Sequence, residues 1–446
     1  MFKNYFRITL RNLLKFKGYA LINISGLAIG MACFILISLW VFDELSYDEF
    51  HQEKHRIFRV NTISPDYGLV TSSSLRLGPT MMDAYPEVEN YTRVWPWARS
   101  LVKYKNRVFD EQNIYLADSS FFAIFSFPFI KGKPETALTE RYSVVLTKAA
   151  AERYFGDEEP LGKMVFSREF DRNFRVTGVI ENVPKNSTLR FDLMARVDLM
   201  PRQRMESWEY TGYTYLLLQE NVHKQDFNHK IRGFYSQYAD STAKSIPVLQ
   251  GLRNIHLYAD GSPGLIKLVY SFSIIAVFIL LIACINFMNL STARATIYAK
   301  QVAVRKVVGA SRKQLITQFL AESIIVSFIA FMVALLLVEI VLPGFNKIAN
   351  KDITLFSTYA TKMFFFLVGV ALFTGMIAGS YPALFLSSFR PAKVLKRHRV
   401  PEPGSKRFRN GLTIFQFTTS IVLISSILVM RDQLNYLQTK DIGINR

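Results

Sequence analysis

Apolar residues are concentrated in five long runs, and polar residues are frequent between the runs. Each run has about 20 residues with few charges, which is the length that an α-helix needs to cross the hydrocarbon core of a bilayer. The runs lack the polar stripe that marks the surface helices of soluble proteins. The pattern therefore predicts five membrane-spanning helices, at residues 19–42, 268–290, 319–342, 363–387 and 411–430.

Between the first and second runs, short segments alternate in character. Thr147 and Gly156 bound one predicted helix, because Thr is a favourable N-cap and Gly a favourable C-cap. Other segments are rich in β-branched and aromatic residues, which is typical of strands. These strand segments are residues 56–62, 143–146, 174–180 and 213–219. We therefore expect residues 43–265 to form a large α+β extracytoplasmic domain, attached to an α-helical transmembrane bundle.

The segment that joins the second and third runs, residues 291–318, contains the basic amphipathic sequence KQVAVRKVVGASRKQL at residues 300–315. Gly309 is a favourable helix stop. Ser311 and Gln314 match the S/T-x-x-E/Q capping box that begins a helix. The sequence predicts a short helix, a tight turn and then the third spanning helix.

Charge assigns a side of the membrane to each connection. Residues 1–18, 291–318 and 388–410 carry almost all of the formal net charge of +19, and alternating topology places all three on the same side. Positively charged connections are retained in the cytoplasm. The chain is thus expected to be a multi-pass protein of the cell inner membrane with a cytoplasmic N-terminus. A basic groove on a folded surface is not indicated, so no nucleic-acid partner is expected.

The two ends of the chain have distinct features. Residues 1–18 have an apolar face and a basic face, which predicts an amphipathic helix at the lipid interface. Residues 388–410 form a basic, Pro-containing linker. Residues 431–446 then follow the fifth span as the start of a second extracytoplasmic segment, so the chain is interpreted as the first half of a doubled protein.

Candidate chemical sites are weak. Residues 156–163, GDEEPLGK, have one residue too many between the glycines for a phosphate-binding loop, and Met164 follows the Lys. His51 and His55 have the spacing of zinc ligands, but Gln52 replaces the expected Glu, and a solvated helix is the favoured interpretation. We expect no catalytic, metal or cofactor site on this chain, and therefore no enzyme activity.

Three polar residues lie within the predicted spans. Placing the ionisable side chain of Glu322 in hydrocarbon costs free energy. It therefore either contacts a neighbouring helix or reaches the interface, and the sequence leaves both alternatives open. Asn286 and Asn289 are expected to make hydrogen bonds between helices.

Three blocks of sequence resemble the MacB/FtsX family of ABC transporter permeases. KQVAVRKVVGASRKQLITQFLAES, at residues 300–323, resembles the cytoplasmic loop and third helix of the family, and SYPALFLSSFRPAKVLK, at residues 380–396, resembles the end of its fourth helix. LADSSFFAIFSFPFIKGKPETAL, VVLTKAAAERYFG and FRVTGVIENVPKNSTLRFD resemble the MacB-like periplasmic core. Gln301 and Ala303 depart from the Glu and Gly that are common in the family.

The resemblance implies that a separate cytoplasmic ABC ATPase hydrolyses ATP and that this chain converts hydrolysis into movement outside the membrane, for export (efflux) or mechanotransmission. The expected ATPase contact, the coupling helix, comprises Val304, Arg305, Lys306, Val308, Gly309, Arg312 and Lys313. The exposed charge of this contact is expected to come from Arg305, Lys306, Arg312 and Lys313. Val304 and Val308 are expected to anchor the ATPase. Further expected partners are membrane lipid, a second permease half or a second copy, and periplasmic or outer-membrane proteins.

Two alternative functions remain at this point. An FtsX-like regulator of cell-wall hydrolases would use the same machinery on a different target. A membrane receptor would bind a ligand outside and signal inward, but it would ordinarily have a cytoplasmic output domain larger than the linker at residues 388–410.

Overall fold

A computed structural model describes residues 2–97, 99–240, 242, 244–258, 264–293, 295–355, 360–389 and 405–439. The chain forms two compact units, a helical unit of residues 1–42 and 269–446 and a globular unit of residues 43–268. Within the described residues, five helices are long and apolar enough to cross a membrane. The predicted class, a membrane bundle with a large α/β domain between its first two spans, is therefore confirmed.

The helices of the helical unit include each of the predicted spans. The short helix α1 (Phe2–Lys15) precedes the first span, α2 (Lys17–Leu45), and α11 (Ala295–Val307) lies between the second and third spans. The remaining spans are α10 (Leu265–Ala293), α12 (Arg312–Ala349), α13 (Ala360–Ser387) and α14 (Ser405–Thr439). Most of the predicted linker at 388–410, and the last residues of the chain, 440–446, lie outside the described residues.

Glycines allow two pairs of spans to approach closely. A Cβ atom on Gly30 of α2 would lie 2.4 Å from the Cβ atom of Ala283 on α10. On α13, a Cβ atom on Gly375 would lie 2.8 Å from the Cα atom of Ile324, and one on Gly379 would lie 2.6 Å from the Cβ atom of Ser323. In lipid, helices associate through such close backbone contact because hydrophobic burial between them gains little. The close contacts at Gly30, Gly375 and Gly379 therefore stabilise the packing of α2 on α10 and of α13 on α12.

The globular unit is built on one mixed sheet. In chain order its strands are β1 (Ile57–Ser64), β2 (Gly68–Val70), β3 (Ser73–Ser74), β4 (Val88–Trp97), β5 (Ser100–Tyr104), β6 (Arg107–Glu111), β7 (Ile114–Ala117), β8 (Phe129–Lys131), β9 (Ser143–Thr147), β10 (Met164–Ser167), β11 (Arg172–Ile180), β12 (Leu193–Arg196), β13 (Thr211–Leu218) and β14 (Ile246–Gly251). The sheet order is β14-β1-β13-β4-β7-β12-β9-β11-β10-β5-β6, with β2, β3 and β8 paired to β1, β13 and β11.

Short helices pack beside this sheet. They are α3 (Leu77–Ala84), α4 (Phe121–Ile124), α5 (Lys148–Phe155), α6 (Arg202–Glu206), α7 (Lys224–Lys230), α8 (Phe234–Tyr238) and α9 (Leu252–Ile255). The predicted cap of α5 is confirmed, because the Thr147 hydroxyl accepts a hydrogen bond from the Ala150 N–H at 3.3 Å. Gly156 ends the helix with a φ of +60°. The four predicted strands are also confirmed, as β1, β9, β11 and β13.

The α5 crossover explains the parallel pairing of β9 with β11; β7 and β12 are also parallel. Strands β9 and β11 are parallel neighbours, which requires a connection that passes across one face of the sheet. Ala150, Ala151, Tyr154 and Phe155 of α5 are buried on that face. A second hydrophobic cluster contains the phenylalanines that follow β7, among them Phe121, Phe122, Phe125 and Phe127.

Candidate partner-docking surface

The turn after α11 has the predicted construction. Gly309 has a φ of +100°, which favours glycine, and its N–H donates to the Lys306 carbonyl at 3.1 Å. At Ser311 the capping box is complete, since the Gln314 N–H donates to the Ser311 hydroxyl at 3.3 Å and the Ser311 N–H donates to the Gln314 side chain at 3.0 Å. A helix, a tight turn and a capped spanning helix are thus confirmed.

One face of α11 packs inside the helical unit. Ala299 and Val302 are buried in a cluster with residues of α12 and α13, including Leu315, Phe319 and Leu386. This packing holds α11 and the start of α12 in a fixed arrangement. The same cluster joins α11 to both α12 and α13.

Arg305 and Lys306 do not point outward as expected. Lys306 Nζ donates to the carbonyls of Ser387 and Phe389 at 2.7 and 2.8 Å, at the end of α13. Arg305 Nη1 donates to the Gln318 side chain of α12. Both side chains are half-buried, and burial lowers the pKa of Lys306, with a further lowering from the nearby positive charge of Arg312. The expectation of four exposed charges was wrong at these two positions, because polar groups of α12 and α13 lie within their reach.

Two valines near the end of α11 and the valine just after it are exposed. Val304, Val307 and Val308 are 57%, 66% and 83% exposed, and we call them the valine surface. Arg312 and Lys313, just past the turn, are exposed beside Gly309. The apolar patch and its basic edge have the anatomy of a protein–protein contact, with an apolar centre and a polar rim.

Glu322 contacts a neighbouring helix, α1. Its Oε1 atom accepts a hydrogen bond from Asn12 Nδ2 of α1 at 3.4 Å. Both residues line a small cavity of about 40 Å³, together with the buried amide of Asn23. The space and its polar walls suit one or two water molecules.

The two asparagines lie at contacts between helices. Asn289 Nδ2 donates to the Thr413 hydroxyl of α14 at 3.5 Å, which confirms the predicted interhelical hydrogen bond at its longest acceptable distance. Asn286 of α10 lies against Gly26 of α2, where a Cβ atom would lie 3.2 Å from its Nδ2 atom.

His51 is a core position, so the favoured interpretation of a solvated helix was wrong for this residue. His51 is buried, and its Nδ1 atom accepts a hydrogen bond from the Ser126 N–H at 3.1 Å. Its ring packs edge-on against Phe125 and Phe127. His51 therefore belongs to the aromatic core of the globular unit.

Sequence reasoning missed two features of this region. Val307 was not recognised as part of the surface, although a valine three residues after Val304 lies on the same helical face. The glycine pairs of α2 and α13 were also missed, although their spacing of four residues, Gly26 to Gly30 and Gly375 to Gly379, is a known signal of helix contact.

Family models match most of the chain. The model of the MacB-like periplasmic core domain matches residues 20–234, and the model of the FtsX-like permease C-terminal domain matches residues 273–391. The second match contains all of α11 and the whole valine surface.

Two curated proteins are similar in sequence to part of the chain. The chain is 26% identical over 270 residues to a macrolide export ATP-binding/permease protein MacB of Bdellovibrio bacteriovorus, which covers 56% of this chain and 38% of that protein. It is 23% identical over 125 residues to the MacB protein of Campylobacter jejuni, which covers 28% of this chain and 19% of that protein. The chain thus spans well under half the length of these relatives.

Two solved structures are similar to part of the chain. A permease-protein domain from Porphyromonas gingivalis has 22% identity and a TM-score of 0.41, and the match covers 45% of this chain and 92% of that domain. The periplasmic region of MacB from Actinobacillus actinomycetemcomitans has 14% identity and a TM-score of 0.36, with 47% and 94% covered.

Proposed function

Because the chain belongs to the MacB/FtsX family of ABC transporter permeases, we propose that it is the transmembrane subunit that a separate cytoplasmic ABC ATPase drives. The ATPase binds the valine surface of α11, and hydrolysis of ATP moves the globular unit for export or mechanotransmission. The chain contributes no catalytic residue to hydrolysis. Its role is to convert a change at the ATPase into movement outside the membrane.

The valine surface is the observation that supports this proposal most strongly. Val304 and Val307 on α11 and Val308 just after it are exposed, while Ala299 and Val302 of the same helix are buried against residues of α12 and α13. Complete burial of a valine side chain stabilises a contact by roughly 1.5–3 kcal/mol. Arg312 and Lys313 at the edge add charge complementarity, which favours rapid and specific association with an acidic partner surface.

Arg305 and Lys306 support the same function in a different way. Their hydrogen bonds connect α11 to α12 and to the end of α13. Movement of the bound partner would therefore move these spanning helices. Rigid elements with few alternative arrangements are the physical basis of such transmission. We therefore assign these two cations to transmission and the valines to docking.

The orientation follows from charge. The basic connections, including α11, face the cytoplasm, and the globular unit faces the opposite side of the membrane. This orientation brings the valine surface to the side on which ATP is available.

The fifth candidate span also has a proposed partner. None of the apolar window of α14 is buried within the described residues, and Ile421, Ile424 and Ile427 are among its exposed side chains. We assign this surface to membrane lipid and to a second permease half or a second copy of the chain. Further partners outside the membrane are proposed for the globular unit alone.

Co-purification tests the docking role. The tagged chain, isolated from its native membranes in mild detergent, should retain a protein with ABC ATPase motifs. The double variant Val304→Asp/Val308→Asp should retain about tenfold less of it, because two buried carboxylates would lack partners at the contact. Val304 and Val308 are exposed in the chain alone, so the variant should fold normally.

Val108→Asp provides the matched control. Val108 is 59% exposed on β6 of the globular unit, so the same chemical change is made far along the chain from α11. Equal retention of the ATPase by all three proteins would contradict docking at the valine surface.

A further inference from the structure

A cleft of about 640 Å³ opens on the globular unit. The first turns of α3 line one wall, and the segment from Asp198 to Glu206 lines the other. This volume lies within the range of sites that hold small molecules and short peptides. The cleft is separate from the surface assigned to the ATPase, and it belongs entirely to the globular unit.

Two arginines in the cleft have most of their hydrogen-bonding capacity available. Arg76 Nη1 donates to the Glu206 carbonyl and Arg141 Nη2 donates to the Asp198 carbonyl, both at 3.4 Å. Among the described residues, neither guanidinium forms an ion pair with a carboxylate. Each guanidinium has five N–H donors in a planar fork that fits a carboxylate or a phosphate.

The other charges of the cleft are already paired. Arg202 binds Glu206 at 2.6 Å, and Asp198 binds Arg196 at 2.8 Å. Arg93, at the floor, is 9% exposed and binds Asp118 at 2.6 Å and the Leu75 carbonyl at 3.2 Å. The charges left for a ligand are therefore the two positive groups of Arg76 and Arg141 and the negative group of Asp83.

Each of the two available guanidinium groups lies beside an aromatic ring. Arg76 lies 5.5 Å from the ring centre of Trp208, and Arg141 lies 5.8 Å from that of Tyr142. Such contacts stabilise a cation and restrict its side chain. Less conformational freedom is then lost when a ligand binds.

The cleft also has apolar walls. Pro79 on α3 and Met205 on α6 are half-buried and line it, and Met200, which is buried, lines it as well. Methionine adapts to apolar side chains of different shapes. A ligand with an anionic end and an apolar side chain would match both parts of the cleft.

We propose that this cleft binds a short peptide through its free C-terminal carboxylate. Arg76 and Arg141 bind the carboxylate, and Pro79 and Met205 contact the apolar side chains. Asp83, on the same wall as Arg76, accepts a peptide N–H and disfavours ligands with several negative charges. These three charges together select a monoanion over a polyphosphate.

Binding of a matched pair of peptides tests the proposal. The full-length chain in lipid nanodiscs is titrated with N-acetyl-Leu-Leu as the free acid and as its C-terminal amide, and binding is followed by saturation-transfer NMR. The acid should bind about tenfold more tightly than the amide, because only the acid forms charge-assisted hydrogen bonds with both arginines.

Substitutions then assign the site. Arg76→Gln and Arg141→Gln should each weaken binding of the acid about tenfold and leave binding of the amide unchanged. Arg172→Gln, an exposed position on β11 outside the cleft, should change neither. Tryptophan fluorescence of each variant confirms that the globular unit is folded.

Several outcomes would overturn the proposal. Equal affinity for the acid and the amide would show that the carboxylate is not recognised. Unchanged binding in both arginine variants would place the peptide elsewhere. Displacement of the acid by inorganic phosphate at equal concentration would show that the arginines bind any anion, and absence of binding up to about 10 mM would show that the cleft does not bind a peptide.

Discussion

The helical unit and the globular unit use opposite kinds of residue at their closest contacts. In the helical unit, Gly30 meets Ala283 and Gly379 meets Ser323, so the smallest side chains lie where helices cross. In the globular unit, Phe121 is fully buried among phenylalanines, with ring centres 4.9–5.9 Å from those of Phe122, Phe125, Phe127 and Phe191.

The difference follows from the solvent of each unit. In water, a large apolar side chain stabilises the fold in proportion to the area that it buries. In a bilayer the surrounding lipid is as apolar as leucine, so helices gain from close fit and from hydrogen bonds. Ser327 of α12 illustrates this, since its hydroxyl donates to the Ala371 carbonyl of α13 at 2.7 Å. Substitutions that remove side-chain volume should therefore destabilise the globular unit most. Substitutions that add side-chain volume should destabilise the helical unit most.

The largest effect is expected for Phe121→Ala. The substitution leaves a cavity in the aromatic cluster and should destabilise the globular unit by about 3–5 kcal/mol. Urea unfolding followed by tryptophan fluorescence measures it in the full-length chain. Tyr67→Ala, at an aromatic residue that is 83% exposed, should change the free energy of unfolding by less than about 0.5 kcal/mol. Similar losses in both variants would argue against burial as the main source of stability here.

A somewhat smaller effect is expected for Gly30→Val. The added Cβ atom would lie 2.4 Å from Ala283 Cβ, so α2 and α10 must separate, at a cost of about 1–3 kcal/mol. The loss should appear as a lower thermal unfolding temperature of the helical unit in detergent. Gly369→Val is the control, because a Cβ atom at Gly369 meets nothing within 4 Å. If the control were as unstable as Gly30→Val, the close contact with Ala283 would not be the cause, since valine has a higher helix propensity than glycine.

His51 is expected to make the free energy of unfolding of the globular unit depend on pH, by about 2 kcal/mol. Burial lowers the pKa of His51 to about 3 from an ordinary value near 6.5, with a smaller contribution from Lys54. Between these two values the unfolded chain binds a proton that the folded chain does not, so stability falls as the pH falls below about 6.5. By pH 5 the loss attributable to this residue should be about 2 kcal/mol relative to pH 7.5.

Comparison with His55 isolates this contribution. In His51→Gln, which cannot take up the proton, the stability difference between pH 7.5 and pH 5 should be about 2 kcal/mol smaller than in the unsubstituted chain. His55→Gln, the same substitution at an exposed histidine, is the matched control. Asp48, whose pKa is raised by burial, opposes the trend but is common to all three proteins. Identical pH profiles in all three would exclude the buried imidazole as the cause.

Much of the fold was predictable because its signals are local. The five apolar runs, the Thr147 cap of α5 and the Ser311 capping box each depend on residues close in sequence. The positions of Arg305 and Lys306 were not predictable in this way. Their hydrogen bonds join residues 13 to 83 positions apart, and the family resemblance had implied exposed charge at these positions.

The pairing of strands in the sheet was likewise not predictable from local sequence. Strands β1 and β13 were predicted as separate segments, but nothing local in the sequence specifies that Ile57 pairs with Leu217. The peptide cleft also depends on such pairing, because Arg76 and Arg141 are brought to one site only by the folded sheet. Local chemistry predicts elements, and long-range packing decides which side chains meet.

The central claim is that a nucleotide-driven change at the valine surface moves the globular unit. Pulsed EPR measures this directly with spin labels at Tyr67→Cys and Ile348→Cys, two exposed positions, in a chain whose Cys33 and Cys284 are replaced by Ala. In complex with the ATPase, the distance distribution should shift by about 5 Å between the nucleotide-free and vanadate-trapped states. The shift should disappear with Val304→Asp/Val308→Asp. Identical distributions in the two nucleotide states, with the ATPase bound, would contradict the account.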